Sequence, residues 1–187
     1  STFGVPHPSG SPLFMLFSSI WNSIVGLIST SVYSKNLFSA GMVSLGVSVL
    51  HLTVLSLIQP TIAERYNVWF KNAITVSMIL LVAFSSTLWN IATFLEIYSL
   101  QFLAFTCVFF TFVQWSIRPT FQTSFLVMYV SVLAIASHSS MMFLAIAMNI
   151  IVVVHNYRTV KNYKPILLGL FFAMLAMSVY VVPFLRS

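Results

Sequence analysis

PLFMLFSSIWNSIVGLISTSVY (Pro12 to Tyr33) is the stretch on which the topology turns. It is greasy and long enough to read as a membrane span, which needs about 20 apolar residues for a ~30 Å core. Placed on a helix, Leu13, Phe17, Ile20, Ile24 and Leu27 fall on one stripe, and Ser19, Asn22, Ser23, Gly26 and Thr30 make the opposite, small and polar face. Trp21 stands in the middle, where a span would carry it to the bilayer centre, yet Trp prefers the interface. An amphipathic helix lying flat in the interface fits this pattern better. A span whose small polar face packs on another helix is the alternative.

The rest of the chain sets the class. Of 187 residues 59% are hydrophobic and only 5% charged, against about 25% charged in a soluble domain. So few charges cannot cover a surface in water, so the chain is an integral membrane protein. Long Leu/Ile/Val/Phe runs, rather than short alternating ones, point to helices and not a β-barrel. Apolar runs fall at 12–33, 37–58, 72–90, 96–115, 121–137, 139–156 and 165–184. The expectation is an all-α, polytopic bundle of about six spans, with the first run interfacial. It forms a single domain over 1–187: an outer-face loop and interfacial helix over 1–36, then a transmembrane bundle over 37–187. No cleavable signal peptide is visible. The chain starts on Ser and stops at Arg186-Ser187, and so reads as part of a longer protein.

Charge orients the bundle. Eight Lys+Arg against two Asp+Glu give +6, a balance explained by loop charges rather than by nucleic acid. With the first run flat, Arg65, Lys71, Arg118, Arg158, Lys161 and Lys164 share one side, which the positive-inside rule makes cytoplasmic. Only Lys35 and Arg186 fall on the other. Trp69 and Trp115 then stand near cytoplasmic ends and Trp89 near an outer end, as aromatic belts would have them. The lone Cys107 forms no intrachain disulfide.

On this arrangement the polar groups able to do chemistry gather on the outer face. His7 lies in the stiff Pro6-His7-Pro8 loop, held for hydrogen bonding or equally a plain interfacial turn. Glu96, in Leu95-Glu96-Ile97-Tyr98, is the only outer-side carboxylate. An ionisable group among apolar neighbours marks a functional position, or else pairs with Lys35 or Arg186. His138 sits at the Ser137-His138-Ser139-Ser140 junction, as a ligand contact or as a structural hydrogen-bonder. The Arg186 guanidinium suits a phosphate, or snorkels to anchor a helix. The spacing of His7, Glu96 and His138 matches no local metal motif, and no Gly-rich phosphate loop, Ser/His/Asp set or Cys cluster is present.

Five motifs in order resemble those of a multi-spanning family of GT-C-type glycosyltransferases. The family has many bacterial members, and its vertebrate member is the endoplasmic-reticulum protein O-mannosyltransferase. GVPHPSGSPLF (Gly4 to Phe14) resembles its G-x-x-H-P-P-G-x-P-L signature, with Ser9 at the second Pro. Ser34-Lys35-Asn36-Leu37-Phe38-Ser39-Ala40 looks like its R-x-N-L-x-S-A. AFSSTLWNIATFLEIYSLQFL (Ala83 to Leu103) is the most specific match. Ser137-His138-Ser139-Ser140 resembles the T-x-H junction, and Tyr180 to Ser187 the Pro-Leu-Arg-Ser end.

The resemblance implies an enzyme moving a sugar, such as mannose, from a polyprenyl-phosphate donor to a protein or glycan acceptor at the outer or lumenal face. The membrane would be a bacterial inner membrane or that of the endoplasmic reticulum or another organelle. Glu96 and His7 would then be catalytic, and His138, Arg186, Lys35 and Tyr98 would bind substrate and phosphate. Cationic and hydrogen-bonding groups must stabilise the departing phosphate, and a carboxylate must take the acceptor proton. The family's acidic motif, of the type D-S-G-E, stands before the His-Pro stretch, and this chain contains no Asp; Glu96 would then orient substrate or a partner group. A metal requirement is not readable. Two other readings compete: a non-catalytic subunit of a larger membrane complex, derived from this family, and a small transporter. The spans lack the ionisable residues a transport pathway would show.

Overall fold

The computed structural model describes residues 11–27, 30–62, 67–94 and 97–159, with isolated positions at 164, 167, 169, 171 and 174. Seven helices are formed among them: α1 (Pro12–Val25), α2 (Ser31–Ile62), α3 (Val68–Ala83), α4 (Ser86–Thr93), α5 (Ile97–Ile117), α6 (Phe121–Ser137) and α7 (Met141–Thr159). The all-helical expectation holds across the described residues.

Among the described residues, three helices are long and apolar enough to cross a membrane: Val32–Ile58, Ile97–Ile117 and Met141–Arg158. The bent pair α3 and α4 raises the number to four if it counts as one span. Six spans are therefore not shown, for three physical reasons. The expected run at 72–90 is broken by a 63° bend between α3 and α4. There Ser85 leaves the helical conformation, and its hydroxyl accepts the Leu88 N–H to cap α4. α6 is 17 residues long, which at 1.5 Å per residue gives roughly 26 Å. The run at 165–184 lies largely outside the described residues.

The boundaries of the first two runs shift as well. α1 stops at Val25, and α2 begins at Ser31 rather than at 37. Lys35 is thus in the first turn of α2 and not in a break. Likewise α7 continues to Thr159, past the end of the run expected at 139–156, and Asn156 is buried on it.

Side-chain pairings fix the helix directions. Phe38 of α2 packs with Leu100 of α5, Gly46 abuts Phe102 and Leu103, and Gln114 Nε2 donates to Ser56 Oγ at 2.8 Å. The numbers rise together, so α2 and α5 run parallel, and α3 with α4 carries the chain back between them. α6 reverses direction: Trp115 meets Ser124 near its start, and Tyr98 meets His138 at its end. α7 reverses again, with Met141 beside Val108 and Val152 beside Trp115.

The interfaces are built from small residues. Ser34, Ser39, Thr53, Thr75, Ser99, Thr106, Ser124, Ser131 and Ser137 are fully buried or nearly so, letting backbones approach closely. Many hydroxyls return to their own helix, as Thr53 does to Val49 O (2.8 Å) and Ser131 to Met128 O (2.9 Å). That satisfies a polar group without a partner helix. Larger side chains fill three clusters, around Phe14/Phe38/Leu100, Val108/Ala134/Met141 and Trp115/Val127/Met128/Val152. Trp115 is therefore a core residue, 5% exposed, and not part of an interfacial belt. Its indole reaches a hydrogen-bond partner in Ser124 Oγ, so nothing drives it to the surface. Trp69 and Trp89 are exposed.

α1 packs against the start of α2. Phe14 and Trp21 both pack on Phe38, with ring centroids 5.9 and 6.0 Å away, although they stand roughly 10 Å apart along their own helix. Trp21 Nε1 also donates to the Ser34 carbonyl at 2.8 Å. A ring seated between residues seven apart on a neighbouring helix is what side-by-side packing gives, and the pairs Phe14–Phe38 and Trp21–Ser34 run in opposite order, so α1 folds back along the start of α2. Phe17, Ile20, Ile24 and Leu27 face away from the bundle and are exposed.

Candidate functional site

The site is assembled where α5 begins and where α6 turns into α7. α6 ends because His138 adopts extended backbone (φ −163°, ψ 138°), its N–H still reaching Ala134 O. The His138 carbonyl then accepts the Met141 N–H at 3.0 Å, and the next helix starts. The imidazole takes part in this turn: the Ser140 backbone N–H donates to Nδ1 at 3.2 Å, and Ser140 Oγ lies 2.9 Å from the same nitrogen. His138 is thus a helix cap as well as a candidate ligand.

α5 supplies the facing wall. Tyr98, in its first turn, packs its ring 5.9 Å from the His138 ring at 40°. Gln101 stands one turn on, on the same face, and its Nε2 donates to Ser140 Oγ at 2.8 Å. Tyr98 is 47% exposed and His138 half-buried. The cluster therefore has one open side.

Of the expected site residues, Tyr98 and His138 are brought into contact. Lys35 is exposed in the first turn of α2, and because α2 runs parallel to α5 it shares the end of the bundle that holds Tyr98. His7, Glu96 and Arg186 lie outside the described residues. Arg118 and Arg158 fall at the opposite end, beyond the Gln114–Ser56 bond. Among the described residues, no three His, Cys, Asp or Glu side chains come together as a metal site.

Sequence reading missed Gln101 and Ser140 as partners of His138. Only the 98/101 helical spacing hinted at Gln101; its bond to Ser140 crosses 39 residues. Also missed was a second polar set at the opposite end. There Ser124 Oγ takes the Trp115 indole N–H at 3.1 Å and lies 3.3 Å from Asn156 Oδ1, with the His155 ring edge-on to Trp115 at 5.1 Å. Asn156 is 4% exposed. An apolar cleft of about 360 Å³ lies against α6 and α7, lined by residues including Val132, Ile135, Ile146, Asn149 and Gly169.

Apolar helices of membrane-crossing length, small buried residues at their interfaces and a polar cluster at one end define a helical membrane protein. Its sequence places it further. Residues 1–162 match the family described as the protein O-mannosyl-transferase TMEM260 N-terminal domain, and the chain belongs to that family. This is the O-mannosyltransferase branch of the expected resemblance. No curated protein and no solved structure matches the chain.

Proposed function

We propose that this chain is a multi-pass, GT-C-type part of an enzyme that transfers mannose from a polyprenyl-phosphate donor to a protein hydroxyl. The site lies on the lumenal or outer side of the membrane. The observation that carries this reading is the convergence of Lys35, Tyr98 and His138 at one end of the bundle, with Arg118 and Arg158 at the other. The positive-inside rule makes the second end cytoplasmic and the first end lumenal. α1 packs at that end with its apolar stripe exposed, as an interfacial helix would.

The reaction forms a bond from the acceptor oxygen to the anomeric carbon and breaks the bond from that carbon to the donor phosphate. The leaving polyprenyl phosphate gains negative charge, which hydrogen-bond donors and cations stabilise. His138, Lys35 and Arg186 are assigned that role, and Tyr98 lines the sugar's approach. His7 is assigned to the catalytic set with Glu96. A carboxylate takes the acceptor proton. The family pattern places that base ahead of the His-Pro stretch, leaving Glu96 to orient substrate. The apolar cleft beside α6 and α7 has the size and character to take part of an isoprenoid chain.

A second reading is a non-catalytic subunit of a larger membrane complex. A transfer assay decides between them. The full-length protein in detergent is given radiolabelled polyprenyl-phosphate mannose and a mixed protein acceptor. Transfer that is lost in Glu96→Gln and His138→Ala supports the enzyme. No transfer, with several donor sugars tried, supports the subunit.

A further inference from the structure

We propose that Gln101 and Ser140 are positioning residues that hold the His138 imidazole in one tautomer and one orientation, with the Nε2 proton turned to ligand. The inference rests on the transferase reading for its consequence, but not for its geometry. Ser140 backbone N–H points at Nδ1 from 3.2 Å. An N–H can donate only to a lone pair, so the neutral ring carries its proton on Nε2. Ser140 Oγ, 2.9 Å from Nδ1, adds a second donor to the same nitrogen. One of the hydroxyl's two lone pairs meanwhile accepts from Gln101 Nε2 at 2.8 Å, which fixes where its hydrogen points. The chain of donation therefore runs from Gln101 through Ser140 to His138 and ends at the Nε2 proton.

The assignment survives the choice of amide orientation. Gln101 Oε1 is buried with no hydrogen-bond partner. Turning that amide over would make the Ser140 hydroxyl donate to Gln101 instead of to the ring, and the backbone N–H would still keep Nδ1 bare. Tyr98 limits ring rotation from the other side, its ring 5.9 Å away. His138 thus spends one nitrogen on capping α7 and keeps the other. No described residue bonds Nε2, and the ring is only half-buried. A neutral N–H fixed in direction is what a departing phosphate oxygen requires, because a preorganised donor needs no reorientation as charge develops.

The test uses the full-length protein with ring-¹⁵N histidine, and wild type alongside Ser140→Ala, Gln101→Leu and Ser140→Thr. His138→Gln assigns the resonance. Wild type is expected to show a bare Nδ1 and a protonated Nε2. In Ser140→Ala and Gln101→Leu the backbone N–H still keeps Nδ1 bare, but the ring loses its side-chain contact, its orientation spreads and its resonances broaden. The kcat for mannose transfer then falls about 10- to 100-fold, as for other residues that orient a functional group, while KM changes little. Ser140→Thr, which keeps the hydroxyl, retains both the spectrum and the rate. A protonated Nδ1 in wild type overturns the proposal, as do variants with an unchanged kcat. A wild-type protein that transfers nothing while its ring is locked on Nε2 overturns the transferase reading and upholds the positioning.

Discussion

Gly46 of α2 approaches α5 so closely that a Cβ at this position would stand 2.7 Å from the Phe102 ring and 3.3 Å from the Leu103 Cα. The absence of a side chain is therefore what sets the α2–α5 distance, and these two parallel helices are the axis on which the others are arranged.

Gly46→Val is expected to push the helices apart and destabilise the protein by about 1–3 kcal/mol, the usual cost of overpacking. Gly41 on the same helix has nothing within 4 Å of its Cβ position. Gly41→Ala should instead be neutral or stabilising by roughly 0.5–1 kcal/mol, from helix propensity. Thermal unfolding in detergent, followed by fluorescence, checks both. Equal effects from the two substitutions would mean that close approach at Gly46 is not what matters.

Trp115 should respond to size far more than to its N–H. Its ring is 5% exposed among Val127, Met128 and Val152, so Trp115→Ala should cost about 3–5 kcal/mol. Trp115→Phe keeps most of the ring and loses the bond to Ser124, at about 1 kcal/mol. Denaturant titrations of both variants give the comparison. A Trp confined to an interfacial belt would show a small cost for each.

Between α2 and α5, Gln114 and Ser56 share one bond across a mainly apolar interface. A double-mutant cycle with Gln114→Leu and Ser56→Ala should return a coupling near ~0.6 kcal/mol, the average for such bonds in membranes. A coupling indistinguishable from zero would remove this bond as a reason for the α2–α5 register.

Some of this arrangement was legible in the sequence. The apolar run at 121–137 is α6, bounded by the Arg118-Pro119 break, while the reciprocal Thr120–Thr123 cap that starts it is seen only in the structure. That Lys35 and His138 share one end follows from counting direction reversals between charged breaks, whereas Tyr98 came only with the motif resemblance. The bend at Ser85 was not legible, because it lies inside an unbroken apolar run with no Pro or Gly to mark it. Burial of Trp115 was hidden for another reason: Ser124, which satisfies its N–H, looks like any surface serine until α6 packs on α5. Gln101 and Ser140 meet only through the fold, across a separation no local pattern reports. His7, Glu96 and Arg186 rest on the motif resemblance and on the assay above.

The direction of the bundle predicts which turns face which compartment. In a Cys107→Ala background, cysteines at Ser139 and at Thr120 should differ in sealed vesicles of endoplasmic-reticulum membrane. The Thr120 position should react with an impermeant maleimide from outside, on the cytoplasmic face, and the Ser139 position only after permeabilisation. The opposite pattern would put His138 in the cytoplasm and end the lumenal reading.

The lie of α1 can be measured with spin labels at Phe17, Ile20 and Ile24, all exposed on one stripe. A helix in the interface holds the three at nearly one depth. A span would separate the first and last by roughly 10 Å of depth, at 1.5 Å per residue. Oxygen and nickel-chelate accessibilities in bilayers report depth directly. Equal, shallow values are expected, because the apolar stripe of α1 is exposed as that of an interfacial helix would be. A steady depth gradient from Phe17 to Ile24 would make α1 a span. The chain before it would then start on the side of Arg118 and Arg158, away from the His138 cluster.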